Sequence, residues 1–196
     1  MTRVVEFFFD FGSPAVYLAA MQLPKIAEQA GAKIVWRPML LGGVFKATGN
    51  QSPVMIPAKG AYMMGTDLVR FSARYGVPFE HNPFFPINTL ALMRGAVAYQ
   101  NTDRFKVYRD TIFKAMWVRP RDLNDPQVVG EVLSETGFDP EDFINRIGEQ
   151  LVKDELKAST EEAVERGAFG APTFFVDGEM FFGQDRLDFV AEALSA

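Results

Sequence analysis

Cysteine is absent from the 196-residue chain. That excludes a disulfide framework, a thiolate metal site and any thiol nucleophile supplied by the protein. Sulfur chemistry, if it occurs here, needs a sulfur that arrives on a small molecule. Histidine is nearly absent too. His81 is the only one, in the turn-like stretch Phe79-Glu80-His81-Asn82-Pro83, so a serine nucleophile has no evident general base. Positive charge is in short supply, with 20 Lys and Arg against 25 Asp and Glu and a formal net charge of -5. No global basic field recruits nucleic acid or anionic lipid. Long apolar runs are missing as well, and none approaches the roughly 20 residues of a membrane span. Met1-Thr2-Arg3 leads directly into Val4–Phe9, too short for a secretory apolar region and without a small-residue cleavage site. A soluble, cytoplasmic protein with no nucleic-acid or membrane partner is expected. There is no internal repeat, low-complexity tract or long linker.

What is present is a core-forming composition: 48% apolar residues, 19 of them Phe, and 23% charged. A chain of this length builds one sizeable core, or one core with an inserted subdomain. Val4–Phe9 reads as a buried strand ended by Asp10, Gly12 and Pro14. Ser13 is a good N-cap and Pro14 suits the first helical position. Val16, Ala19, Ala20, Leu23 and Ile26 then form an apolar stripe. Gly31 ends that helix, and Ile34-Val35-Trp36 makes a second strand stopped by Arg37-Pro38. A crossover of this length argues for a parallel βαβ unit.

The punctuation of Gly42-Gly43, Gly49-Asn50, Pro53, Pro57 and Gly60 predicts irregular, accessible backbone. From about Ala61 to Glu165 only helical periods occur. They predict four to six helices, started at Asp125-Pro126, Asp139-Pro140 and a Ser159-x-x-Glu162 capping box. Thr173–Val176 and Glu179–Phe182 flank Asp177-Gly178, the signature of a two-residue type I′ hairpin. A last helix runs from about Asp185, with Leu187, Val190, Ala191 and Leu194 on one face. The division expected is a discontinuous α/β domain, 1–60 with 166–196, and an inserted helical domain, 61–165.

Read alone, Gly12-Ser13-Pro14 is an N-cap. The same geometry places a hydroxyl beside the positive end of a helix, where it can stabilise an anion or hydrogen-bond a thiolate and lower its pKa. Ala171-Pro172 reads either as an ordinary strand start or as a cis bond that presents the backbone of residue 171 to an extended peptide.

In this order, Phe7-Phe8-Phe9-Asp10-Phe11-Gly12-Ser13-Pro14, Trp36-Arg37-Pro38-Met39-Leu40-Leu41-Gly42-Gly43, Gly49-Asn50-Gln51-Ser52-Pro53 and Pro57-Ala58-Lys59-Gly60 resemble one known group. Phe85-Pro86-Ile87-Asn88-Thr89-Leu90, Phe169-Gly170-Ala171-Pro172-Thr173-Phe174 and Phe182-Gly183-Gln184-Asp185-Arg186 do so too. The group is the 2-hydroxychromene-2-carboxylate isomerases with their relatives, the kappa-class glutathione transferases, within the DsbA-like branch of the thioredoxin fold. The resemblance implies a thioredoxin-like α/β fold with a helical insertion. Redox members carry Cys-Pro-x-Cys where Ser13-Pro14-Ala15-Val16 stands, so disulfide exchange is excluded. Many relatives have an aromatic residue in place of Ala15.

The resemblance further implies glutathione as cofactor, its sulfur facing Ser13. Asn50 and Lys59 match glutathione-contacting positions, an amide and an ammonium suited to carboxylates. Ala171, before Pro172, matches the residue that pairs through its backbone with the cysteinyl unit. Gln184 and Asp185 match positions at the γ-glutamyl end. Each has a plainer alternative: a turn residue for Asn50, a solvated charge for Lys59, a loop residue for Gln184, a helix N-cap for Asp185.

For the second substrate, Phe84, Phe85, Trp36, Tyr17 and Asn88 are candidates to line an aromatic pocket between domains, Asn88 being equally suited to cap a helix. The function implied is glutathione-dependent isomerisation of a small aromatic carboxylate in naphthalene-type degradation, by a homodimer. A kappa-like transferase and a non-catalytic glutathione-binding module are the alternatives. No metal or nucleotide motif is present.

Overall fold

The protein, here as a computed structural model, is described over residues 3–196. Met1 and Thr2, on which part of the targeting expectation rests, lie outside the described residues. Strand β1, Val4–Phe9, is at the centre of the molecule. Its period-2 alternation sends Val5, Phe7 and Phe9 into one apolar cluster and Phe8 into another, so both faces are covered. The sheet order is β2-β1-β3-β4. Strand β2, Lys33–Pro38, runs parallel to β1, β3, Thr173–Val176, runs antiparallel to β1, and β4, Glu179–Phe182, runs antiparallel to β3. The hairpin turn has Asp177 at φ 48° and Gly178 at φ 87°, as a type I′ turn requires. Pro38 closes β2 opposite Phe9, tolerated because β2 is an edge strand.

Helix α1, Pro14–Gln29, supplies the βαβ crossover and packs its Val16, Leu23 and Ile26 onto the first face. The second face is covered by α2, Leu41–Thr48, whose Val44 meets Phe8 and Phe175. The remaining helices are α3 (Pro57–Tyr62), α4 (Leu68–Tyr75, after a π turn), α5 (Leu90–Tyr99), α6 (Phe105–Trp117), α7 (Pro126–Ser134), α8 (Pro140–Gly148), α9 (Gln150–Glu165) and α10 (Leu187–Ser195). Asp125 and Asp139 cap α7 and α8 through their side chains. Trp117 and Tyr108 of α6 are fully buried and join the helical layer to the first face of the sheet. Helix α9 packs on α2 and β2, its Ala163 sharing the cluster of Phe8.

Two expectations are corrected. Residues 41–48 are helical, not irregular: α2 begins at Leu41 and contains Gly42 and Gly43. No side chain of its own caps it, because Thr160 Oγ1 and the Asp10 carboxylate accept from Leu40 N and Leu41 N across 120 and 31 residues. Nor does Ser159-x-x-Glu162 start a helix. Both residues lie inside α9, where apolar Val152, Leu156 and Ala163 carry one continuous buried stripe past them.

Glu162 instead joins an ion-pair cluster at the edge of the second face. Glu6 accepts from Arg166 at 2.6 and 3.1 Å, Arg37 pairs with Glu162, and the Arg166 guanidinium lies 3.8 Å from the Phe175 ring centre. The hydrogen bonds from Arg166 hold the Glu6 carboxyl below its ordinary value of 4.5, aided by the charges of Arg166 and Arg37 against the opposing effect of burial. A carboxyl with a depressed folded-state pKa contributes stability that is present above the unfolded value and lost as pH falls through the folded one. Glu6→Gln is therefore expected to cost about 1 kcal/mol at neutral pH, as part-buried pairs do. Urea unfolding of both proteins should show the difference vanish in acid; a difference independent of pH would exclude the ionic contribution.

Candidate active site

At the C-terminal end of β1 the chain turns through Asp10, Phe11 and Gly12 into α1. Ser13 is extended at φ -99° and ψ 119°, and its Oγ accepts from Val16 N at 3.3 Å, a true N-cap. The same hydroxyl donates to the carbonyl of Ala171 at 3.3 Å, across 158 residues of chain. Ala171-Pro172 is cis. A hydroxyl, a helix N-terminus and a turned-out backbone thus converge at one point. The helix dipole favours an anion at this point, and the Ser13 hydroxyl can donate its one proton to that anion by turning away from the Ala171 carbonyl.

Under this turn sits Asp10, only 1% exposed. Its Oδ1 accepts from Gly12 N at 2.9 Å and its Oδ2 from Leu41 N at 2.8 Å. Burial pushes this carboxyl up, although the backbone donors oppose the shift. One carboxylate therefore ties together the Ser13 turn and the start of α2, with Thr89 at the start of α5 close by. Gly12 fits tightly between them, since a Cβ would stand 3.1 Å from Thr89 Cγ2. Asp10 escaped the sequence reading. Its signal was an acidic residue directly after the apolar run Phe7-Phe8-Phe9.

A cleft of about 220 Å³ opens over Ser13 and gathers Asn50, Phe85, Ala171, Pro172, Gln184 and Asp185 from distant parts of the chain. Asn50 follows the left-handed Gly49 that ends α2, and its Nδ2 donates to Phe169 O at 2.8 Å. Gln184 is buried, its carbonyl accepting from Tyr75 Oη at 2.9 Å. Asp185 does not cap α10. Its carboxylate pairs with Arg186 at 2.6 Å beside Gly183, whose φ is 100°. Leu41 and Phe45 of α2, with Met63, Phe182 and Asp67, complete walls that the sequence did not single out. They come from segments whose approach depends on packing alone.

Four candidates are elsewhere. Lys59 is exposed on α3, outside the cleft wall. Asn88 is exposed; its Oδ1 accepts from Leu90 N and its backbone N–H donates to Asn124, so it shapes the entry into α5. Trp36 and Tyr17 line a different groove with Phe105 and Phe113, and burial pushes the Tyr17 hydroxyl up to about 12. The expected single aromatic pocket is thus divided. Trp36 pairs in register with Phe7 and so lies on the sheet face beneath α6, while Phe85 stands at the end of β1 beside Ser13. Phe84 is 47% exposed, and His81 is exposed as well.

The DSBA-like thioredoxin domain model matches residues 4–195, with Ser13 at the head of α1 and Pro172 before β3. The chain belongs to the DsbA-like thioredoxin family. Within it, a 2-hydroxychromene-2-carboxylate isomerase of Sphingobium xenophagum is 30% identical over 200 residues, covering 99% of each chain. Glutathione S-transferase kappa 1 of Rattus norvegicus is 30% identical over 207 residues, 98% of this chain and 91% of its own. A solved 2-hydroxychromene-2-carboxylate isomerase superposes with a TM-score of 0.85 at 29% identity, covering 97% of this chain and 94% of its own. The fold implied by the resemblance, thioredoxin-like of the DsbA type, is the one observed, with a four-stranded mixed sheet and many helices. The chain has no cysteine, and a hydroxyl, that of Ser13, stands at the N-terminus of α1.

Proposed function

We propose that the protein is a glutathione-dependent isomerase acting on 2-hydroxychromene-2-carboxylate, or on a closely related aromatic carboxylate. The observation that carries the reading is the Ser13 hydroxyl at the N-terminus of α1, facing the carbonyl of Ala171 in a chain devoid of cysteine. The near-full-length likeness to proteins named as such isomerases supports the choice of reaction.

The cleft residues suit the tripeptide. Asp185 and Asp67 offer carboxylates to its free amino group; Asn50, Gln51 and Gln184 offer amide donors to its carboxylates. The Ala171 backbone would pair with the cysteinyl unit by strand-like hydrogen bonding. No Lys or Arg is in the wall, so Lys59, on the helix after Gln51–Val54, is the assigned cation for the remaining carboxylate.

Glutathione supplies the nucleophilic sulfur. Ser13 and the helix N-terminus hold it as thiolate, lowering its pKa. When bound, the sulfur would supply reversible nucleophilic addition to the side chain conjugated with the substrate ketone, which makes its double bond rotatable, and Ser13 with the helix N-terminus would stabilise the thiolate before addition and after release. In the cis geometry the phenol closes on the ketone to give the cyclic hemiketal. Glutathione is not consumed. Phe85, Phe45 and Leu41 form the apolar side of the cleft for the aromatic ring. A homodimer, a cytoplasmic setting and a place in naphthalene-type catabolism complete the proposal, on the family resemblance.

The experiment is to add protein and glutathione to hydroxychromene carboxylate and follow both isomers and free thiol. Faster approach to the isomer equilibrium with constant thiol supports the isomerase. Stoichiometric thiol loss into a conjugate would replace it with the kappa-like transferase. No acceleration would leave a binding module.

A further inference from the structure

We propose that the groove between α1, β2 and α6, built on Trp36 and Arg109, is a second binding site, for an aromatic carboxylate, separate from the Ser13 cleft. The groove holds about 840 Å³, and no residue lining it also lines the cleft. That volume falls within the roughly 300–1,000 Å³ of small-molecule sites.

The floor is apolar: Ile34, Trp36, Phe105 and Phe113, with the Trp36 and Phe105 rings set edge to face at 66°. Set into it is a cation. The Arg109 side chain is 10% exposed, and its guanidinium carbon lies 4.1 Å from the Trp36 ring centre and 6.0 Å from that of Phe105. Nε and Nη2 both donate to Asp110 Oδ1, at 2.9 and 2.7 Å, leaving Nη1 without a protein acceptor among the described residues. Asp110 is shared further, since its Oδ2 accepts from Lys106 Nζ at 2.9 Å. Lys25 and Lys114 stand on the rim.

Four cations and a single carboxylate therefore surround an aromatic floor, in a chain whose formal net charge is -5. Such a local reversal of sign attracts an anion. A guanidinium held against a ring, with a donor to spare, suits a carboxylate attached to a flat π system. The ring lies on the floor and the carboxylate meets Nη1 and the rim lysines. An aliphatic acid would leave the aromatic floor without a stacking partner, and an extended acidic surface would not reach the inner guanidinium.

Calorimetric titration with 2-naphthoate tests this. Arg109→Met is expected to weaken binding about tenfold, as loss of a charge-assisted contact does. The surface double variant Lys25→Gln with Lys114→Gln, which leaves the core intact, should weaken it about threefold, with a smaller effect at high salt. Neutral 2-naphthamide should bind much less. Ser13→Ala and saturating glutathione should leave the affinity unchanged. The proposal is overturned if 2-naphthoate does not bind, if neither basic variant weakens it, or if Ser13→Ala or glutathione abolishes binding. Tighter binding of decanoate would overturn the aromatic assignment. Affinity that varies with protein concentration as copies dissociate would make the groove an interface instead.

Discussion

Replacing Ser13 with alanine is expected to lower isomerase turnover about 10- to 100-fold and to raise the pKa of bound glutathione by about one to two units. Those figures follow from the roughly 1.5–3 kcal/mol carried by a hydrogen bond to a charged group, at 1.4 kcal/mol per tenfold. Beside that proposed role, the hydroxyl caps α1 through Val16 N. Loss of a cap removes about 1 kcal/mol of stability by itself. The roles separate on measurement: ultraviolet titration of the bound thiolate reads the first, urea unfolding the second. Ser13→Thr keeps the hydroxyl and should keep the low thiol pKa. A thiol pKa that does not move in Ser13→Ala would reduce Ser13 to its cap.

Asp10→Ala should have the largest effect on the folded state. It strands Gly12 N and Leu41 N, and each part-buried donor left unpaired costs about 1–3 kcal/mol, so a total of about 2–6 kcal/mol is expected. The damage falls on the Ser13 turn and on the α2 wall of the cleft together, and substrate affinity should fall along with stability. Asp10 also imposes a pH dependence. Burial raises its folded-state pKa above the ordinary 3.8. The folded protein then holds the proton more tightly than the unfolded chain does. The resulting stability is fully present below 3.8 and declines as pH rises from there through the raised value. Asp10→Asn removes that decline, although its amide faces one backbone donor. Urea midpoints of the two proteins, compared across this window, should therefore differ by an amount that changes with pH. A constant difference would mean that Asp10 acts only through hydrogen-bond geometry.

Local chemistry was the legible part of this molecule. Asp177-Gly178 announces its turn because few other pairs accept positive φ twice, and Ser13-Pro14, Asp125-Pro126 and Asp139-Pro140 announce helix starts because the capping atoms are their own. The start of α2 was illegible for the opposite reason: its capping groups belong to Asp10 and Thr160. Ser159 and Glu162 have the right spacing for a box, but a buried stripe through Leu156 and Ala163 carries the helix past them. In the cleft, the resemblance pointed to Ser13, Asn50, Ala171, Pro172, Gln184 and Asp185, which packing brings together. Trp36 and Tyr17 lie outside the cleft, lining another groove, because Trp36 is on the β2 face under α6 and Tyr17 is on α1 beside Phe113.

The position of β1 has a consequence for the making of the protein. The first strand of the chain lies between β2 and β3, and β3 begins only at Thr173. During synthesis β2 and the crossover helix can form early, but one edge of β1 waits unpaired while more than a hundred residues follow. Contacts of such sequence separation are slow to close and leave an edge open to aggregation in the interval. The opening over Ser13 shares that delay, because Ala171 and Gln184 come from the same late segment. A nascent or C-terminally truncated chain therefore carries the hydroxyl and the helix but only half of a binding site, and activity arrives last, with the closing of the sheet.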